Sequence, residues 1–119
     1  MSTRTFRITV RGVFDSLTEA QRAALLADAA EHDALRAAYT AEGTLTYDIA
    51  ARPAFVFRFS AAGEEEEDIL DATEQAEEAA KAWLNEGGYG FKRLRSTAED
   101  LSLAPLSKRQ RRAARSHGA

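Results

Sequence analysis

The chain has 119 residues, 45% of them hydrophobic and 29% charged, and a formal net charge of −3. That length holds one domain around one core, with stability that is marginal or helped by dimerisation. The absence of cysteine excludes disulfides, thiolate metal sites and cysteine nucleophiles, and no stretch approaches the ~18 apolar residues of a membrane span.

Residues 4–14 alternate, with Phe6, Ile8 and Val10 on one side and Arg7, Thr9 and Arg11 on the other. A period of two with β-branched and aromatic residues predicts a half-buried strand, and Gly12 is placed for a bulge or an end. The segment before it lacks the apolar run of a signal peptide, so a cytoplasmic protein is expected. Thr18 with Gln21, and Ser16 with Glu19, have capping-box spacing and predict the start of a helix. Ala23, Leu26, Ala27, Ala30, Ala34 and Ala37 follow at helical spacing as its buried stripe.

After Gly43, Leu45, Tyr47 and Ile49 alternate with Thr44, Thr46 and Asp48 in a second strand. Phe55, Phe57 and Phe59 alternate with Val56 and Arg58 in a third. The short Ala51-Arg52-Pro53 connection makes the two an antiparallel hairpin with the proline confined to the turn. Beyond Gly63, five acids from Glu64 to Asp68 suit a helix N-terminus. Ile69, Ala72, Thr73, Ala76, Ala80, Trp83 and Leu84 form the clearest helical stripe in the chain, stopped at Gly87-Gly88.

Residues 89–96 read as a fourth strand of open register, in which a bulge near Arg93 would turn both Phe91 and Leu94 inward. Residues 97–106 read as irregular or as a single turn. Lys108, Arg109, Arg111, Arg112 and Arg115 then close the sequence without an acid among them, leaving eleven basic residues against nineteen acids in residues 1–107. An acidic body with a basic tail is the clearest charge signal.

The order β-α-β-β-α-β predicts an α+β fold, a ferredoxin-like sandwich with a four-stranded antiparallel sheet and two helices on one face. Residues 1–98 are assigned to that domain and residues 99–119 to a C-terminal extension carrying the basic tail. Three segments, Arg4 to Phe14, Gly43 to Asp48 and Leu94 to Asp100, together resemble a family of small actinomycete proteins that carry a domain of unknown function. That resemblance spans nearly the whole chain and implies neither an activity nor any functional residue. The element order is also similar to that of the dimeric α/β-barrel proteins, which include small monooxygenases and isomerases.

Four groups of residues are candidates for function. Arg7, Arg11, Thr44, Thr46, Asp48, Arg58 and Arg95 are expected on the open sheet face, where arginine forks bind carboxylate or phosphate. The bland alternative is a solvated or dimer-covered face, since every one-sided sheet alternates in this way. The tail cations suit phosphate contact, a fold-back onto Glu64–Asp68, or solubility alone. Trp83, Tyr89 and Phe91 either line a pocket for a small hydrophobic ligand or pack the core. His32, Tyr39 and Tyr47 are the weak acid/base candidates. Two distant histidines without cysteine offer no metal site, and no cofactor motif is present. Phe6, Tyr47, Phe55, Phe57 and Phe59 share the buried parity, which disfavours base stacking on the sheet.

The leading expectation is a non-enzymatic binding or assembly protein that forms a homodimer through the open sheet face. The enzyme-class alternative is a dimeric α/β-barrel-like enzyme of monooxygenase or isomerase type acting on a small hydrophobic molecule. The third is a nucleic-acid or ribosome accessory protein that uses the tail.

Overall fold

The computed structural model describes residues 3–101. Four strands and two α-helices alternate as β1 (Arg4–Asp15), α1 (Glu19–Ala27), β2 (Thr44–Tyr47), β3 (Ala54–Gly63), α2 (Asp68–Glu86) and β4 (Gly90–Asp100). Two short 3₁₀ turns, Ala29–His32 and Ala34–Arg36, follow α1. The strands form one sheet in the order β2-β3-β1-β4, and every neighbouring pair is antiparallel.

The two-residue period of β1 and β3 decides which way the sheet faces. Phe6, Ile8, Val10 and Phe14 from β1 and Phe55, Phe57 and Phe59 from β3 turn to one side and are buried. Leu45 and Tyr47 lie opposite Phe57 and Phe55 and join the same cluster, which Leu25 of α1 and Ala76, Ala80 and Leu84 of α2 close from above. Both helices therefore cover one face, as expected. Among the described residues no helix is long and apolar enough to cross a membrane.

The helix ends follow local chemistry. Thr18 and Gln21 form the reciprocal capping box, with bonds of 3.0 and 3.1 Å. At the start of α2 the Asp68 carboxylate accepts the backbone N–H groups of Glu65 and Glu64. Those two bonds, the Glu65 one first, hold its pKa below the ordinary 3.8. At the other end Gly88, at φ 70°, lets Tyr89 N–H reach Leu84 C=O and Gly88 N–H reach Asn85 C=O. That is the Schellman pattern, and it needs the left-handed conformation glycine adopts freely.

The structure corrects two sequence readings. The first helix stops at Ala27, and Leu25, not Leu26, is its buried residue: Leu25 is 2% exposed and Leu26 43%. Ala30, Ala34 and Ala37 are exposed beyond the helix end, because Asp33 caps a separate turn through Leu35 N–H. The fourth strand runs to Asp100 and includes residues 97–100, which read as irregular in sequence. Twelve residues of β1 supply a long partner edge, and the far end is tied by an Arg4–Asp100 ion pair of 2.8 Å with Asp100 buried.

β4 also carries the irregularity anticipated near Arg93. That residue sits at φ 56°, and the register with β1 shifts between Arg11 and Val13. Phe91 and Leu94 consequently both pack on the core, three positions apart where an uninterrupted strand would send them to opposite faces. Gly12 lies across from this shift. A Cβ built there would stand 2.5 Å from Phe55 Cζ and 3.2 Å from Leu94 Cδ1, so only glycine lets both side chains close over the strand.

Candidate functional site

The face of the sheet away from the helices is built from the other parity of the same strands. β1 contributes Thr5, Arg7, Thr9, Arg11 and Val13, and β3 contributes Val56, Arg58 and Ser60 as their register partners. β2 adds Thr44 and Thr46, opposite Arg58 and Val56. β4 adds Lys92, Arg95, Thr97 and Glu99, opposite Val13, Arg11, Thr9 and Arg7. The expected set is thus brought together: Arg7, Arg11, Arg58 and Arg95 share this surface with Thr44 and Thr46. Asp48 lies just past the end of β2, where its carbonyl and carboxylate hold the following turn by accepting from Ala51 N–H.

Arg11 stands directly opposite Arg95. Both are exposed, and residues paired in this way have Cβ atoms about 5 Å apart. Among the described residues, none of Arg7, Arg11, Arg58 and Arg95 has a carboxylate within 4.0 Å. Lys92 does reach Asp15, at 3.7 Å with both side chains about half exposed. Arg58 instead donates to Thr46 Oγ1 at 2.8 Å, and that threonine is buried. Like charges opposed on a strand pair destabilise it, so a sheet that keeps the Arg11–Arg95 pair carries an electrostatic cost that no carboxylate among the described residues offsets.

Parity did not anticipate Tyr39. It comes from the segment between the second 3₁₀ turn and β2, and it lies on the open face with 37% of its surface exposed. Its hydroxyl is 3.1 Å from Thr9 Oγ1, and the Arg7 guanidinium sits 5.0 Å from its ring centroid, a cation–π distance. The segment is anchored beside β3 by Thr40, whose carbonyl accepts Ser60 N–H at 2.8 Å. Gly43, at φ 90°, turns the chain into β2 directly against the Phe59 ring. The five aromatics assigned to the buried side are indeed there, yet the face is not free of aromatic surface.

The three acid/base candidates do not converge. Tyr39 is on the open face, whereas His32 and Tyr47 stack under the helical layer with ring centroids 5.1 Å apart. His32 Nδ1 lies 3.0 Å from Leu45 C=O; a carbonyl only accepts, so this nitrogen carries the proton. The Tyr47 hydroxyl donates to Leu25 C=O at 2.6 Å. Burial above all, and then the acids Asp28 and Glu31 with Tyr89 between them in weight, push its pKa up to about 12. It stays protonated and tethered.

Trp83 and Tyr89 stack on each other at 5.5 Å and 16°, and Trp83 meets Phe57 edge-on at 5.8 Å. Phe91 packs on the core beside them. An apolar cleft of about 230 Å³ does exist between α2 and the sheet, but toward the other end of the helix, lined by Ile8, Phe59, Ala72 and Ala76 among others. A larger groove of about 390 Å³ wraps the outer edge of β2 and brings Arg52 and Arg58 near Asp33 and Asp48. Arg52 and Asp33 belong to separate turns, and no periodicity in the sequence links them. Among the described residues no group of three or more histidines and carboxylates is placed to hold a metal ion. The tail cations Lys108, Arg109, Arg111, Arg112 and Arg115 lie outside the described residues.

A family model for a family of unknown function (DUF6204) matches residues 1–112, and the chain belongs to that family. No curated protein and no solved structure matches it.

Proposed function

We propose that this family member is a non-enzymatic binding protein of ferredoxin-like architecture whose open sheet face receives an anionic partner. The architectural part is supported by the βαββαβ order together with the strand order, which read from the β4 edge is β4-β1-β3-β2. The observation that carries the function is the Arg11–Arg95 opposition with no carboxylate of the described residues within 4.0 Å. An external carboxylate or phosphate placed between two guanidinium forks turns a repulsion into two charge-assisted contacts. A cytoplasmic location belongs to this reading.

The test is retention on an immobilised sulfated polysaccharide, with Arg11→Gln/Arg95→Gln compared with the unaltered chain. The double variant should elute at clearly lower salt. Elution at the same salt, with folding intact by circular dichroism, would refute the role of the face.

A second reading, a homodimer through the same face, draws on Val13 and Val56, which sit half-buried beside the arginine row. It predicts a dimer in sedimentation at high micromolar concentration, and a monomer there would end it. The enzyme reading, a dimeric α/β-barrel-like monooxygenase or isomerase, draws less support, because Tyr39 is separated by the sheet from His32 and Tyr47.

A further inference from the structure

Resting on the anionic-partner reading, we infer that the partner is a single-stranded nucleic acid, laid across the open sheet face with a base on Tyr39 and phosphates on the arginine rows. Three observations carry this.

The face supplies both chemistries that such a strand needs. Tyr39 offers a partly exposed ring on the open side of the sheet. Thr9, which contacts its hydroxyl, is two residues along β1 from Arg11, about 7 Å. The Arg7 guanidinium lies over the ring, which puts a cation beside the part of it that solvent reaches. An aromatic ring beside cations is what a sequence-tolerant strand binder uses, because every base has a π-face and every nucleotide a phosphate. An acidic peptide would use the arginines and leave the ring idle.

The dimensions favour a single strand over a duplex. The outer strands of this four-stranded sheet lie about 14 Å apart, before side chains are added. A major groove is about 12 Å wide, so the sheet face does not enter it, whereas an extended strand lies across the sheet without obstruction.

The charges are unevenly divided between the layers, with Arg7, Arg11, Arg58, Lys92 and Arg95 against Glu99 on the open face. α2 carries Asp68, Asp71, Glu74, Glu77, Glu78 and Glu86 against the single Lys81, and it lies on the opposite side from the arginines. The net charge of −3 thus hides a basic side and an acidic side. A polyanion is directed to the first and repelled by the second.

Fluorescence anisotropy on the full chain tests the inference with four probes: a 12-nucleotide single-stranded RNA, the same sequence as DNA, the DNA duplex, and poly-glutamate. Single strands should bind more tightly than the duplex. Tyr39→Ala should weaken them about 5- to 150-fold, the range for one lost base stack, and leave poly-glutamate unaffected. Tyr39→Trp should restore single-strand binding. Arg11→Gln/Arg95→Gln should reduce the slope of log affinity against log salt by about 1.4, two phosphate contacts on a single strand. A preference between the RNA and DNA strands identifies the natural source, and either supports the inference.

If poly-glutamate binds as tightly as the single strands and Tyr39→Ala changes nothing, the nucleic-acid inference falls while the anionic-partner reading stands. If no probe responds to Arg11→Gln/Arg95→Gln, both fall. A thermal melt of each variant separates lost binding from lost fold.

Discussion

Replacing Arg95 by glutamate should make the protein more stable while it abolishes anion binding. The charged groups of directly opposed, exposed residues lie on the order of 6 Å apart, given their Cβ spacing. At that distance in water two unit charges interact by about 0.7 kcal/mol. Converting Arg11–Arg95 from repulsion to attraction is thus worth about 1.4 kcal/mol unscreened, and roughly half of that at physiological salt, where the Debye length is about 8 Å. For a domain of this size a gain of about 0.7 kcal/mol raises the melting temperature by roughly 3–6 °C. Arg95→Gln, which removes the repulsion without adding attraction, should give about half the gain. Urea unfolding at low salt, at physiological salt and in 1 M salt is the assay, because the difference between glutamate and glutamine should vanish when the Debye length falls to about 3 Å. A lower urea midpoint for Arg95→Glu than for Arg95→Gln, or a difference that ignores salt, would refute the claim that this pair is uncompensated.

Two further outcomes are expected. Gly12→Ala should destabilise the fold by about 1–3 kcal/mol, the usual cost of overpacking, because Phe55 is fixed between Phe14 and Phe57 at 4.9 and 5.6 Å and cannot swing away from the new methyl group. Adding Phe55→Leu to Gly12→Ala should cost less than the two separate changes combined, which chemical denaturation will show. For Tyr47, whose folded pKa is raised from 10.0 to about 12, the unfolded chain loses its proton first. Its stabilising contribution is complete below about pH 10 and declines as pH rises toward 12. Tyr47→Phe should lack that part of the pH dependence, and parallel slopes for the two proteins between pH 10 and 12 would refute the claim that burial raises the Tyr47 pKa.

What the sequence reveals of this fold depends on how much directional information each side chain carries. Phe6, Ile8 and Val10, and Phe55, Phe57 and Phe59, are large and apolar at a period of two, so the sheet's two faces are legible at once. The α2 stripe ending in Trp83 and Leu84 is equally plain. The first helix is not, because alanines bury little area on any face. With adjacent leucines about 100° apart, the alanine spacing selected Leu26 where packing selects Leu25. Ala98, Glu99 and Asp100 are weak strand formers, and only the length of β1 across from them makes them a strand. Arg7, Arg11 and Arg58 follow from parity alone, whereas Arg95 reaches the open face only because of the irregularity at Arg93. Tyr39 does not, because a connecting segment has no period, and its place on the sheet is set by Thr40, Gly43 and Thr9, residues distant in pattern though near in space. The groove around β2 escapes sequence reasoning for the same reason.

The bend at Arg93 has a bearing on how the sheet meets other chains. β4 is the longer of the two rim strands, with eleven residues against four in β2, and a straight rim of that length invites a foreign strand to zip onto its bare backbone groups. An approaching strand that matches the spacing of residues 94–100 falls out of step at 90–92. The same irregularity that brings Phe91 and Leu94 inward thus also breaks the even spacing that a foreign strand would need along this rim.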